Sequence, residues 1–106
     1  MRPTDKTITQ KIKKAVKEID PMAEVILYDS RARGVAKKDS DWDVLILENK
    51  PTVTLKDEQV FRHRLYDIAL ETEQCISVFV YSKKKWETKY YVTPLYKNIQ
   101  KEGINL

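Results

Sequence analysis

Cysteine and histidine are nearly absent from this sequence, which contains one of each in 106 residues, Cys75 and His63. A single cysteine excludes an internal disulfide, and with one histidine it leaves no set of soft ligands for a metal such as zinc. No apolar run approaches the roughly 20 residues that a membrane-spanning helix needs. The first residues, MRPTDKTITQ, lack the apolar core of a secretory signal. These absences favour a protein of the reducing cytoplasm with no membrane segment.

The composition favours one globular domain over residues 1–106. Hydrophobic residues make up 42% of the chain and charged residues 34%, which supports one modest core rather than disorder. The formal net charge of +4 is a mild bias toward anionic partners, such as a nucleotide, RNA or an acidic protein surface. We expect His63 to lie on the surface and Cys75 to be a small buried apolar group.

Apolar spacing and turn residues predict helices packed on a small sheet. Apolar residues four apart mark a helix over residues 5–19, which Asp20-Pro21 ends. A second helix, capped by Thr54 or Asp57, is predicted to run to about Thr72. Its inward residues are Phe61, Leu65 and Ile68. The other predicted elements are strands at 24–28, 41–47 and 76–81, a short helix from Ser82 to Trp86, and a helix between Thr93-Pro94 and Gly103. With a further helix expected after Ser30, between the first two strands, the order α-β-α-β-α-β-α-α defines the α/β (α+β) class.

Lysines and aromatic residues near the C-terminus leave two interpretations open. Lys83-Lys84-Lys85 is either a solvated helix face or, together with Trp86, Tyr90 and Tyr91, a surface that stacks and pairs with RNA. Those two tyrosines and Tyr96 can instead pack the end of the sheet or meet a partner subunit.

Asp41 and Asp43 are unexpected in an apolar strand. Alternation in a strand points both side chains to one face, about 6.5–7 Å apart at Cα. Their carboxylates can then converge to about 5 Å, where the repulsion is roughly 3 kcal/mol at an effective dielectric constant of about 20. A divalent cation between them would reverse the sign of that energy, and Mg²⁺ prefers such ligands. The alternative is a polar turn followed by the exposed start of an edge strand.

A basic loop precedes the acid pair. Ser30 follows the first predicted strand, where a turn into a helix presents free backbone N–H groups to a phosphate. Arg31, Arg33, Lys37 and Lys38 add positive charge. The loop is therefore either a phosphate-binding loop or a solvated basic segment.

The spacing of these residues resembles the minimal nucleotidyltransferase family of the polymerase-β-like superfamily. The family signature is Gly-Ser, about ten residues, and Asp-x-Asp inside an apolar strand. Here Ser30 is separated from Asp41 by residues 31–40, and the segments "SRARG" and "SDWDVLIL" are close to family usage. The resemblance extends from the first helix to the closing "LYKNIQKEGINL". It implies the nucleotidyltransferase fold, a small mixed β-sheet flanked by helices.

The resemblance also implies a reaction. Family members transfer a nucleoside monophosphate from an NTP to a hydroxyl and release pyrophosphate. Asp41 and Asp43 would be the catalytic pair that holds Mg²⁺ or Mn²⁺. Ser30 and the following N–H groups would hold the phosphates of the nucleotide, for which ATP is the expected substrate. Arg31 and Arg33 would be further phosphate ligands.

Two positions depart from the family pattern and leave catalysis open. Asp29 replaces the glycine before the serine, adding bulk and negative charge beside the phosphates. The segment 76–81 lacks the third acid that serves many members as a base, and Ser77 falls near that position. One hypothesis is that Asp29 partly replaces this acid, in which case changing Asp29 to glycine abolishes turnover.

Three functions follow from the sequence. The first is an active nucleotidyltransferase, for which a protein acceptor fits the family's small antitoxins that pair with a helical HEPN toxin. The second is a degenerate domain that binds nucleotide or a HEPN-like partner without catalysis. The third, less favoured, is an RNA-binding module that uses the basic face.

Overall fold

The computed structural model describes residues 3–28 and 41–106. In chain order the elements are α1 (Pro3–Ile19), β1 (Glu24–Tyr28), β2 (Trp42–Glu48), α2 (Leu55–Thr72), β3 (Ile76–Ser82), α3 (Lys83–Thr88), α4 (Pro94–Glu102) and β4 (Ile104–Asn105). The helices and strands predicted in these parts of the chain are confirmed, with ends displaced by at most two residues. β4 was not predicted. The turn and helix predicted after Ser30 lie outside the described residues.

The strands form a mixed four-stranded sheet in the order β3-β2-β1-β4. β2 runs antiparallel to β1 and parallel to β3, and β4 adds antiparallel to the outer side of β1. The connection between the parallel strands β2 and β3 is the helix α2, as a parallel pair requires. β2 therefore lies in the interior of the sheet and carries the acid pair at its N-terminal end.

Both faces of β2 are covered, as is typical of a strand with a nearly continuous apolar sequence. Trp42, Val44 and Ile46 point to the face that packs against α1 and α2, and they are inaccessible to solvent. Leu45 and Leu47 point to the other face. There they join a smaller cluster with Tyr28, Trp86 and Ile99. The two apolar layers hold β2 from both sides.

Local capping fixes where the helices begin and end. Thr54 and Asp57 form a reciprocal capping box at the start of α2, with side-chain to backbone distances of 3.2 and 3.0 Å. Ser82 caps α3 and Thr93 caps α4, each accepting a backbone N–H with its hydroxyl oxygen. Gly103 is the C-cap of α4, and its N–H donates to the carbonyl of Ile99 at 2.8 Å. These predicted caps are confirmed.

The aromatic residues near the C-terminus mostly face inward. Trp86 is buried and its ring centroid lies 5.1 Å from that of Tyr96, while Tyr90 lies 5.1 Å from Tyr81. Of the proposed RNA-stacking set only Tyr91, which is 53% exposed, is an open aromatic surface. Because Trp86 is buried in the core, its ring is not available to stack on RNA, and this part of the RNA-binding interpretation is wrong.

Glu48 is a carboxylate buried at the far end of β2, with an exposed fraction of 2%. Its pKa is raised above 4.5, chiefly by burial and further by Asp57 and Asp20, while Lys50 opposes the shift. A raised pKa means that the folded state disfavours the charged form. The penalty is absent below the unfolded pKa and grows as pH rises through the folded pKa.

Replacing Glu48 with glutamine is therefore expected to raise the thermal midpoint at pH 7, since the amide is neutral at every pH. The gain should shrink as pH falls toward 4 and vanish below it. Scans of both proteins from pH 3 to 8 measure this difference. Glu71→Gln, at an exposed residue of α2 whose ion pair with Lys11 is open to solvent, is the control and should show no rise of the midpoint at pH 7. A lower midpoint for Glu48→Gln at pH 7 would contradict the pKa direction.

Candidate active site

The acid pair lies at the N-terminal end of β2. Asp41 is exposed and immediately precedes the strand, which begins one residue later than predicted, and Asp43 is the second residue of the strand and half-buried. Strand alternation points Asp43 to the same face as Leu45 and Leu47. Between the two acids, the Trp42 indole lies in the opposite layer, where its N–H donates to the Gln74 side-chain oxygen at 3.2 Å. The tryptophan thereby fixes the segment on which the acids sit.

Cys75 stands beside both acids, which the sequence did not predict. The pKa of its thiol is raised first by a hydrogen bond to the Asp41 carboxylate, then by the charge of Asp41, by burial and by the charge of Asp43. The prediction that Cys75 is buried is wrong, since the thiol is exposed. It immediately precedes β3, an edge strand of the sheet. Its carbonyl accepts the Trp42 N–H at 2.8 Å, which ties the starts of β2 and β3 together.

Replacing Asp41 with asparagine is expected to lower the pKa of the Cys75 thiol, because the first two causes of its rise disappear. Alkylation by iodoacetamide at pH 8 should then be faster than in the unchanged protein, since the thiolate is the reactive form. The rate is measured against pH by mass spectrometry. Asp67→Asn, on the exposed surface of α2, should leave it unchanged. An unchanged rate for Asp41→Asn would show that Asp41 does not raise the pKa of the thiol.

Ser77 is the residue of β3 paired with Asp43 in the parallel ladder. The register thus places a hydroxyl, not a carboxylate, beside the acid pair. A groove of about 420 Å³ runs along this part of β3, with Arg62 and Tyr66 of α2 on its other side. It gives Ser77 an open approach at the edge of the sheet.

The two carboxylates suit a cation whose remaining ligands come from the substrate. In residues 3–28 and 41–106, no three His, Cys, Asp or Glu side chains are grouped so as to hold a metal ion by themselves. Two carboxylates remain, and Mg²⁺ commonly binds one or two carboxylates and takes its other ligands from water and substrate phosphates. The phosphate ligands expected from the sequence, Ser30, Arg31 and Arg33, lie outside the described residues, as does Asp29.

A model of the nucleotidyltransferase domain family matches residues 9–105. The chain therefore belongs to this family, and the minimal nucleotidyltransferase resemblance read from the sequence is confirmed. No curated protein matches the chain.

Two solved structures share the fold. One is a tyrosine-to-alanine variant of a toxin–antitoxin described as MntA-HpeT, 18% identical with a TM-score of 0.64, covering 92% of this chain and 70% of that one. The other is a toxin–antitoxin with AMP-PNP, also 18% identical, with a TM-score of 0.65 and coverages of 91% and 69%. They confirm the predicted fold class, a mixed sheet flanked by helices. In the described part of the chain, no helix is long and apolar enough to cross a membrane.

Proposed function

We propose that this domain transfers a nucleoside monophosphate from ATP to a hydroxyl group and releases pyrophosphate. The observation that supports it most is the position of Asp41 and Asp43, at the same end of an interior strand and both within electrostatic reach of one thiol. Two carboxylates at one strand end are the ligands that Mg²⁺ commonly takes from a protein, while water and substrate phosphates supply the rest. The family membership makes a nucleotide the natural source of the remaining ligands.

In this proposal the chain's own residues position and neutralise the nucleotide. Asp41 and Asp43 hold a divalent cation, Mg²⁺ or Mn²⁺, which supplies Lewis-acid stabilisation of the charge that develops on the phosphates. Ser30, Arg31 and Arg33 bind the terminal phosphates. Trp42 keeps the two carboxylates in place because its own side chain is locked in the core. The hydroxyl of the acceptor enters from the edge of the sheet, past Ser77.

The acceptor in this proposal is a partner protein. Both fold neighbours are toxin–antitoxin structures, and one of them contains AMP-PNP, an ATP analogue. A HEPN-like helical toxin is the partner that fits an antitoxin role. The groove along β3, with Arg62, Tyr66 and Ser77, offers a surface where a partner could present its hydroxyl.

Labelled ATP tests the reaction directly. The protein is incubated with Mg²⁺, the protein encoded by the neighbouring gene, and ATP labelled at either the α- or the γ-phosphate. We expect the α-label to appear on the acceptor and the γ-label in pyrophosphate. Transfer of the γ-label would instead indicate a kinase. Absence of both, with the acceptor confirmed to bind, would reject transfer.

Replacing Ser77 with aspartate is expected to increase the rate of transfer. The register puts the new carboxylate beside Asp43, where it can accept the proton of the incoming hydroxyl, and general base catalysis is typically worth 10²- to 10⁴-fold. We expect at least a tenfold gain in the rate constant measured under single-turnover conditions. Ser77→Asn has a similar size without the basic oxygen and should give no gain. Equal rates for both variants would show that proton removal does not limit the reaction.

A second function is a degenerate domain that binds a partner without catalysis. The serine at position 77, opposite Asp43, favours it. In that case Asp41→Asn and Asp43→Asn should bind the partner with unchanged affinity, and no label should reach it from ATP. An RNA-binding module would instead lose affinity steeply with salt and ignore both aspartates.

A further inference from the structure

A second pocket lies at the opposite end of β2 from the acid pair. Its volume is about 370 Å³, and it is bounded by the end of α1, the end of β2 and the first turns of α2. Its lining combines apolar and acidic side chains with one cation: Ile19, Asp20, Met22, Glu48, Asn49, Lys50, Asp57, Val60 and Phe61. None of these residues takes part in the proposed transfer.

Glu48 is buried in this pocket with an unsatisfied oxygen. Its Oε1 atom is shielded from solvent, and no donor among residues 3–28 and 41–106 forms a hydrogen bond to it. The other oxygen, Oε2, lies 3.8 Å from the Lys50 ammonium. Because an unpaired buried acceptor costs roughly 1–3 kcal/mol, and more when charged, such an atom needs a reason.

Lys50 neutralises only part of the negative charge around Glu48. Its ammonium is closer to Asp57, at 3.0 Å, than to Glu48. The pKa of Asp57 is lowered to about 2 by the backbone N–H of Thr54 and by Lys50, so this carboxylate stays charged. Asp20 lies close enough to raise the pKa of Glu48, and two carboxylates form a hydrogen bond only when one carries a proton. Three acids therefore share one cation on a chain whose net charge is +4.

The remaining walls of the pocket are apolar. Ile19 and Phe61 form its inner side, and Met22 and Val60 stand at the rim with exposed fractions of 68% and 46%. Apolar side chains do not bind metal ions, and no cluster of side chains that could hold a metal occurs in the described residues. An alkyl stem would cover them, while its cationic end reached the carboxylates.

We propose that this pocket binds a short alkyl chain that ends in a guanidinium or ammonium group. The head pairs with Asp20 and with Glu48, whose side chain turns so that Oε1, shielded in this structure, accepts the missing hydrogen bond, and the stem packs on Met22 and Val60. A free amine such as agmatine and an arginine or lysine side chain of another protein share this chemistry. The site is independent of the proposed transfer, since it lies at the other end of the strand.

Calorimetric titration with n-butylguanidinium tests the proposal on the full chain. We expect saturable binding on the order of millimolar, as for a small fragment, with NMR shifts confined to residues 19–22, 48–50 and 57–61. The uncharged isostere n-butylurea should bind at least tenfold more weakly. Glu48→Gln, which we expect to fold with greater stability, should also lose at least tenfold. Glu71→Gln removes an acid of α2 that lies outside the pocket, and this variant should bind as the unchanged protein does.

Three outcomes would overturn the proposal: no saturable binding, equal binding of the urea, or unchanged affinity in Glu48→Gln. Titration with agmatine and with the blocked dipeptide Gly-Arg then separates the two sources. Binding of agmatine alone supports a free amine, whereas binding of the blocked peptide supports a protein side chain. ATP binding, measured in the same variants, should not change.

Discussion

Replacing Asp43 with asparagine is expected to reduce nucleotide transfer by about a thousandfold, which corresponds to roughly 4 kcal/mol of lost transition-state stabilisation. The amide keeps the size of the side chain but removes the charge that holds the cation. Asp41→Asn should have an effect of similar size, and the double variant should not be a further thousandfold worse, because the pair acts as a unit. Rates are measured with α-labelled ATP at saturating Mg²⁺.

Asp67→Asn is the matched control for these substitutions, since it makes the same change on the exposed surface of α2. It should retain full activity. Circular dichroism and unfolding curves must show that the Asp43 variant is folded. A folded Asp43→Asn protein with more than a tenth of the original rate would remove the acid pair from the mechanism.

Replacing Trp42 with alanine is expected to lower the free energy of unfolding by about 3–5 kcal/mol, as is typical of a large buried aromatic residue. Trp42 is fully buried between the sheet and the helices α1 and α2, and its N–H bonds to Gln74. A domain of this size has about 5–15 kcal/mol in total. The variant should therefore lose a large part of its stability, and with it the fixed geometry of Asp41 and Asp43.

Urea unfolding at pH 7 measures this loss. Trp42→Phe is the control, because it keeps most of the apolar volume and removes the hydrogen bond to Gln74. It should lose less than Trp42→Ala by at least about 1 kcal/mol. If Trp42→Ala lost less than 1 kcal/mol, the tryptophan would not be the residue that anchors the acid pair.

Local signals explain which elements could be predicted. β1 and α2 were located because apolar periodicity and the Thr54–Asp57 capping box are written in neighbouring residues. β4 was missed because Ile104 and Asn105 make only a two-residue strand, whose pairing with β1 depends on the rest of the fold. Short strands of this kind carry too few residues to show alternation.

The site follows the same rule. The spacing of Asp41 and Asp43 is local, so their place at the start of one strand could be predicted from the sequence. That both carboxylates meet on one face stays a prediction. The neighbours Cys75 and Ser77 are more than thirty residues away, and only the parallel register of β2 and β3 brings them to the acids. Cys75 and Ser77 are two residues apart, as Asp41 and Asp43 are. That match could have indicated which residues are neighbours only if the register of β2 and β3 had been known.

ATP binding with and without Mg²⁺ tests the central claim most directly, namely that Asp41 and Asp43 hold a cation against the triphosphate. Titration calorimetry should show that Mg²⁺ strengthens ATP binding at least tenfold in the unchanged protein and has no effect in the Asp41→Asn, Asp43→Asn double variant. Equal affinity with and without Mg²⁺, or an undiminished Mg²⁺ effect in a folded double variant, would contradict it.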